Sequence, residues 1–173
     1  MRRPKIVLTG PPGCGKTTVA KRTASLLARR AAGFLTEEVR DPRGERVGFR
    51  VETLAGARGE LARKGGGSGP RVGAYRVNLR EFEAVALPAL GEAAADRVLV
   101  IDEIGKMECL SEAFRSRVAE LLDADLPLLA TAPLRGGGPF LDSIRRRTDV
   151  EFVTVTRENR DRLPGDLAQR LSR

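Results

Sequence analysis

A glycine-rich segment near the N-terminus constrains the fold of this chain more than any other feature. It runs from Gly10 to Thr17, reads GPPGCGKT, and matches the pattern G-x-x-x-x-G-K-[ST] in full. The residues from Lys5 to Thr9 predict a strand before it, and a helix is predicted from about Thr17 to Arg30, with Gly33 as its stop. The face of this helix that packs on the sheet is predicted to carry Val19, Thr23, Leu26 and Leu27. A strand, a glycine loop and a helix in this order form a phosphate-binding unit. We therefore expect a nucleoside triphosphate site here.

The chemistry of this loop, a Walker A motif, follows from its residue types. Glycines let successive backbone N–H groups turn towards the phosphates, and the next helix points its positive end at them. Lys16 is predicted to contact the β- and γ-phosphates as a catalytic residue, and the Thr17 hydroxyl to bind Mg²⁺. Cys14 is interpreted as a small loop filler, with a reactive thiol as the alternative. The residues predicted to bind nucleotide here are Gly10, Pro11, Pro12, Gly13, Cys14, Gly15, Lys16, Thr17 and Thr18.

Two acidic residues follow the most apolar segment of the chain. The strand predicted from Arg97 to Asp102 contains four consecutive apolar residues, as expected of a strand buried on both faces. Asp102 would then lie at the edge where open parallel sheets bind ligands, and it is predicted to hold Mg²⁺. Glu103 is the candidate to take a proton from the attacking water. Thr131 ends another predicted strand, and its hydroxyl is assigned either to the γ-phosphate or water, or to the local backbone.

Strands and helices alternate along the rest of the chain. A hairpin is predicted from Phe34 to Arg40 and from Val47 to Leu54, around the turn residues 41–44, and a connecting loop over 65–70. Further strands are predicted to end near Asn78 and to span 127–131 and 151–155. Helices are predicted around 82–90, with a kink or break at Pro88, and over 110–122, with Leu110 and Ala113 on the apolar face. Two more helices are predicted over 140–147 and after Thr156, which would cap the last helix with Glu158 in its first turn. We predict one α/β domain over residues 1–173. Its three layers would be a mainly parallel sheet with helices on both faces and an added antiparallel hairpin.

Composition narrows the range of functions. The 173 residues include no histidine, which excludes histidine-based acid–base catalysis, and the two cysteines lack the spacing of a zinc site. No apolar run is long enough for a membrane span or a signal peptide, so we expect a soluble, cytoplasmic protein without a membrane partner. A formal net charge of +8 leaves a nucleic-acid partner open, but the charges are spread along the chain. The oligomeric state is not encoded in these features, and a monomer is favoured.

Five segments together carry a family resemblance: Gly10 to Thr18, Gly33 to Arg40, Val77 to Glu83, Ile101 to Glu108 and Glu158 to Asp161. In these segments, and through nearly its whole length, the chain resembles the small thermophile-type nucleoside-triphosphatases, a family that includes the human cancer-related nucleoside-triphosphatase. The resemblance implies slow, Mg²⁺-dependent hydrolysis of several nucleoside triphosphates to diphosphate and phosphate, with little base preference. It also implies a Walker B strand separated from the strand of the phosphate-binding loop by the one ending at Thr131. The nucleotide would border Ile101, Asp102, Glu103, Ile104 and Gly105.

Two other functions remain open. A small-molecule or nucleotide kinase would need an acceptor pocket and an arginine-bearing lid, and no clear lid is evident. A nucleotide-dependent switch that binds RNA or protein is the alternative from another class. Guanine specificity is not expected, because an Asn-Lys-x-Asp stretch is absent. The sequence does not single out an arginine that would stabilise the transition state; the candidates are Arg135, Arg145, Arg146, Arg147 and Arg160.

Overall fold

The computed structural model describes residues 3–94 and 96–173, which contain a nine-stranded sheet covered by helices. The strands are β1 (Lys5–Thr9), β2 (Ala31–Arg40), β3 (Arg46–Thr53), β4 (Arg58–Lys64), β5 (Arg71–Val72), β6 (Tyr75–Val77), β7 (Val98–Ile101), β8 (Leu128–Thr131) and β9 (Glu151–Thr154). The helices are α1 (Lys16–Leu27), α2 (Leu79–Gly91), α3 (Glu112–Asp123), α4 (Pro139–Arg145) and α5 (Leu163–Leu171). The strand order across the sheet is β5-β6-β4-β3-β2-β7-β8-β1-β9.

Five neighbouring strands form the parallel part of the sheet. β2 pairs with β7, β7 with β8, β8 with β1, and β1 with β9, all in parallel. β8 therefore separates β7 from β1, as the family resemblance implied. Because the carboxyl ends of parallel strands meet at one edge, the residues that follow β1, β7 and β8 are gathered there. This edge holds the phosphate-binding loop, Asp102 and Thr131 together.

Alternate residues of the central strands face opposite layers of helices. In β1, Val7 belongs to a core with residues of α2, α3 and α4, whereas Ile6 and Leu8 belong to a second core with residues of α1 and α5. All three side chains are fully buried. Burial on both faces is what the short apolar runs of these strands predict. The predicted three-layer α/β architecture is thus confirmed.

The antiparallel part of the sheet is larger than predicted. The expected hairpin is present: β2 and β3 pair from Phe34 opposite Thr53 to Arg40 opposite Arg46. β4, β6 and β5 continue it outward as further antiparallel strands. Of these, β4 and β5 were not predicted. The sequence of β4, RGELARK, carries charges at four of its seven positions, so its apolar pattern is too weak to indicate a strand.

Gly33 does not end the first helix, contrary to the prediction. α1 ends at Leu27 and is followed by a short 3₁₀ turn, and Gly33 lies inside β2. Its φ is +112°, and a Cβ on it would stand 2.0 Å from the carbonyl oxygen of Val100. Only glycine permits this close approach of β2 to β7. Close strand packing, rather than a helix cap, explains the residue.

Two apolar faces predicted for helices include residues that point to solvent. Leu26 was placed on the buried face of α1, but it is 61% exposed, whereas Leu27 is buried. Leu110 and Ala113 were placed on the apolar face of α3, but both are exposed, and Leu110 precedes the helix. In both cases the apolar pattern is broader than the face that packs on the sheet.

A helix break at Pro88 and a last helix that starts after Thr156 were also predicted, and the structure contradicts both. α2 continues through Pro88, which lies in its final turn. The last helix begins at Leu163 rather than after Thr156. Thr156 caps a turn instead. Its hydroxyl accepts a hydrogen bond from the Asn159 N–H at 3.3 Å, and its own N–H donates to the side-chain oxygen of Asn159.

Among the described residues, no helix has the length and apolar character needed to cross a bilayer.

Candidate active site

The phosphate-binding loop connects the buried β1 to the N-terminus of α1. Gly10 has a φ of +153°, and a Cβ there would stand 2.9 Å from the carbonyl oxygen of Val155, so a side chain would not fit. Gly15 precedes α1 in a left-handed conformation, with φ of 108°. In the part of the chain that the structure describes, no side chain caps this helix end, and its first turn has no acidic residue. The N–H groups there are left for an anion.

Lys16 lies across the loop in this conformation. Its ammonium group donates a hydrogen bond to the carbonyl oxygen of Gly10 over 3.1 Å. This contact holds the amine over the mouth of the loop, where phosphate oxygens would compete for it. A carbonyl is a weaker partner than a charged phosphate, so Lys16 is available to a triphosphate.

Asp102 is the centre of the hydrogen-bond network at this edge of the sheet. It is 1% exposed, and one carboxylate oxygen accepts a hydrogen bond from Thr17 at 3.1 Å and another from Thr131. The second oxygen accepts one from the N–H of Thr36 at 3.4 Å. Burial raises the pKa of Asp102, and the donors from Thr131, Thr17 and Thr36 oppose that rise. The network joins α1, β2, β7 and β8 at one carboxylate.

Glu103 lies next to Asp102 and is half-buried. Burial raises its pKa, the charge of Asp102 raises it further, and the charge of Lys16 lowers it. A carboxylate with a raised pKa is a better base than an ordinary one, because its affinity for a proton is nearer to that needed at neutral pH. Its position and its environment both suit proton transfer.

The other predicted nucleotide-binding residues have different surroundings. Pro11, Pro12, Gly13 and Thr18 are exposed. Ile101 and Ile104 are fully buried in the core, so only their backbones could border a ligand, and the Ile104 N–H already donates to Thr131. Cys14 is buried within the loop in the core shared by α1 and α5, which agrees with its interpretation as a loop filler.

Cys109, the other cysteine, is not part of this loop, and burial raises the pKa of its thiol to about 12.

The five candidate arginines lie in different parts of the fold, and they differ in how near they are to the phosphate-binding loop. Arg147 is paired with Asp123 and Asp149, which precede β8 and β9 and therefore lie at the opposite edge of the sheet. Arg145 is close to the site edge but donates to the carbonyl oxygens of Pro133 and Gly136, which holds the loop after β8. Arg146 is exposed on the turn that follows α4, and Arg135 is exposed in the loop after β8. Arg160 lies beside the phosphate-binding loop, its Cδ 3.6 Å from where a Cβ on Gly15 would be.

Known proteins resemble this chain in both sequence and fold. A protein-family model described as NTPase matches residues 5–168. The chain is 46% identical to the nucleoside-triphosphatase THEP1 of Thermofilum pendens over 99% of this chain and 97% of that protein. It is 43% identical to the human cancer-related nucleoside-triphosphatase over 94% and 93% of the two chains. The chain belongs to this nucleoside-triphosphatase family.

Two solved structures of nucleoside-triphosphatases have the same fold as this chain. The crystal structure of THEP1 from Aquifex aeolicus superposes with a TM-score of 0.89 at 40% identity, covering 98% of this chain and 99% of that one. The solution structure of the human cancer-related nucleoside triphosphatase gives a TM-score of 0.80 at 42% identity, covering 96% of each. The predicted family, fold class and enzyme class are therefore confirmed.

Three residues of the site were missed or only partly understood from the sequence. Thr131 was assigned to the γ-phosphate, the water or the local backbone, but its hydroxyl binds the Asp102 carboxylate. The Thr36 N–H also reaches Asp102, and no side-chain pattern signals such a backbone contact. Glu108 is a buried carboxyl, 3% exposed, in the loop after β7. The sequence could have indicated Glu108, because it stands among apolar residues and a buried acidic side chain needs a polar partner.

Proposed function

We propose that this nucleoside-triphosphatase hydrolyses the bond between the β- and γ-phosphates of nucleoside triphosphates in an Mg²⁺-dependent reaction, giving diphosphate and phosphate. The observation that carries this proposal is the 3.1 Å contact between the Thr17 hydroxyl and the Asp102 carboxylate. It joins the start of α1 to the end of β7 across 85 residues of sequence. A hydroxyl and a carboxylate of the kinds that hold Mg²⁺ in such sites thus share one edge with the phosphate loop.

Mg²⁺ fits the donors at this position. It prefers oxygen ligands and few protein groups, the rest being water and substrate phosphate. The Thr17 hydroxyl would bind it directly, and the Asp102 carboxylate would hold it through water. The rise in the pKa of buried Asp102 also supports a cation, because a positive charge offsets the cost of burying the carboxylate. Bound there, Mg²⁺ would neutralise charge on the phosphate oxygens.

The loop and Lys16 would bind and orient the triphosphate. Backbone N–H groups from Gly13 to Thr18 would surround the β-phosphate, and Lys16 would exchange its contact with Gly10 for the β- and γ-phosphates. These groups are fixed by β1 and α1 before substrate arrives. Their charge stabilises the charge that builds on the phosphate oxygens during transfer.

Glu103 would then activate water. The water oxygen forms a bond to the γ-phosphorus, its proton passes to the Glu103 carboxylate, and the bond to the bridging oxygen breaks with its electron pair on the β-phosphate. The raised pKa of Glu103 supports this role. Asp102 is unsuited to it, since its oxygens already accept hydrogen bonds from Thr17, Thr131 and Thr36.

A cavity beside the loop supports weak base selectivity as part of this proposal. It measures about 180 Å³ and is bordered by Gly15, Thr18, Val19, Arg22, Arg160 and Asp161. The guanidinium plane of Arg160 can stack on any base, because every base has a π face. Among the residues that border this cavity, Asp161 alone has a carboxylate that could pair with guanine, and it lies 3.6 Å from the guanidinium of Arg22. We therefore propose that ATP, GTP, CTP and UTP are all substrates.

Phosphate release tests this proposal directly. It would be measured with the four triphosphates, with Mg²⁺ or with a chelator, and with added small-molecule, nucleotide or RNA acceptors. We expect Mg²⁺-dependent release to water, loss of most activity in Thr17→Ala, and no loss in Thr148→Ala, an exposed threonine that precedes β9 at the opposite edge. Transfer of phosphate to an acceptor faster than to water would instead assign a kinase, and stimulation only by RNA would assign a switch.

A further inference from the structure

We propose that Glu108 is a positioning residue, which holds the carboxylate of Glu103 in the orientation needed to activate water. The inference rests on the proposed function, in which Glu103 is the base. Glu108 itself would contact neither the water nor the triphosphate. Its carboxyl group would act directly on the Glu103 carboxylate, across the turn that leads from Glu103 to the short 3₁₀ helix of residues 108–110.

The geometry of this turn brings both carboxyl groups against the same side of Gly105. A Cβ built on Gly105 would stand 2.6 Å from Oε1 of Glu103 and 2.7 Å from Oε2 of Glu108. The two side chains therefore converge over the Cα of Gly105, in the space that any other residue would fill. Gly105 has no positive φ, so close approach rather than backbone conformation explains the glycine.

Burial makes Glu108 suited to bind a carboxylate. Glu108 is 3% exposed, and the backbone N–H groups of Gly105 and of Glu108 itself only partly oppose the effect of burial on the pKa of its carboxyl group. Burial raises the pKa of Glu108 well above its usual range, and the charges of Glu103 and Asp102 raise it further. In its neutral form the Glu108 carboxyl group carries one O–H donor, and an oxygen of Glu103 lies on the same side of Gly105 to accept it.

The alternative is that Glu108 only stabilises the turn. Both accounts predict a less stable protein after Glu108→Ala, so stability cannot separate them. They differ in what happens to catalysis when Glu103 is removed. A residue that positions Glu103 has nothing left to position in Glu103→Gln, whereas a residue that supports the whole site still matters there.

The test is a double-mutant cycle on Glu103 and Glu108, with kcat, KM and nucleotide affinity measured for each variant. We expect Glu108→Ala to lower kcat by about 10- to 100-fold, as a small misplacement of a reacting group does, with nucleotide Kd changed by less than about threefold. Glu108→Gln, which keeps the shape and a donor, should recover kcat to within about fivefold of the wild type. In the Glu103→Gln background, Glu108→Ala should cost about twofold or less.

A second pair of variants keeps the test decisive if Glu108→Ala does not fold. Gly105→Ala adds one methyl group against both carboxyl groups and should lower kcat at unchanged nucleotide Kd. Gly165→Ala adds the same methyl on α5, where nothing lies within 4 Å, and should leave kcat unchanged. Wild-type kcat in Gly105→Ala, or an equal cost of Glu108→Ala in both backgrounds, would overturn the positioning role. Full activity in Glu103→Gln would overturn the proposed base as well, which distinguishes the two failures.

Discussion

Replacing Thr131 by valine isolates the network that holds Asp102. The change removes one hydroxyl and keeps the shape of the side chain, so no cavity forms. Thr131 is 0% exposed and Asp102 is 1% exposed, so water cannot replace the lost donor. A hydrogen bond to a charged group contributes about 1.5–3 kcal/mol, and we expect Thr131→Val to lower the free energy of unfolding by about that amount. At about 2 kcal/mol, the melting temperature of a chain of this length would fall by about 4–8 °C.

Urea unfolding of the nucleotide-free protein measures this loss. Thr23→Val is the matched control, because Thr23 is also 0% exposed and its hydroxyl donates to the neutral carbonyl oxygen of Val19 at 2.8 Å. Its loss should be about 1 kcal/mol or less. In an Asp102→Asn background the cost of Thr131→Val should also fall to about 1 kcal/mol, because the acceptor is then neutral. Equal losses in Thr131→Val and Thr23→Val would refute the argument that Asp102 is a buried, charged acceptor.

Three further predictions concern the substrate and the sheet. Lys16→Ala should abolish turnover and greatly weaken triphosphate binding by calorimetry; unchanged affinity in a folded variant would contradict its role. The rates for ATP, GTP, CTP and UTP should lie within about tenfold, or roughly 1.4 kcal/mol in barrier, and a thousandfold preference for one base would be incompatible with the base site described above. Gly33→Ala should destabilise the protein by about 3 kcal/mol or more in urea, because its Cβ would collide with Val100; a smaller loss would show that β2 can move away from β7.

The parallel half of the fold, and the meeting of the glycine loop with Asp102 at one edge, were predictable because each depends on local pattern. The loop from Gly10 to Thr17 specifies a strand before it and a helix after it, and the apolar run that ends at Asp102 specifies a buried strand. Parallel strands then meet at a shared edge. Asp102 and Thr17 are 85 positions apart in sequence, yet the topology alone brings them together.

The parts that sequence analysis missed depend on packing between distant segments. A glycine that follows a predicted helix, as Gly33 does, is usually read as the end of that helix. Only the position of Val100 in the neighbouring strand shows why a side chain is excluded there. β4 is held by its neighbours β3 and β6 rather than by its own weak apolar pattern. The hydroxyl of Thr131 had several local partners available, and the choice of Asp102 follows from the register of β7 beside β8. Such contacts are set by tertiary structure, which a single sequence does not display.

Single-turnover phosphate release by Glu103→Gln, with triphosphate binding measured on the same protein, tests the central claim most directly. The substitution keeps the size of the side chain and removes its charge. We expect a rate about 10² to 10⁴ lower than that of the wild type, as for a lost general base, with Mg²⁺-dependent binding of triphosphate retained. Asp102→Asn, by contrast, should impair that binding. Near-normal phosphate release by Glu103→Gln at saturating Mg²⁺ would contradict the account, because the water would then be activated without Glu103.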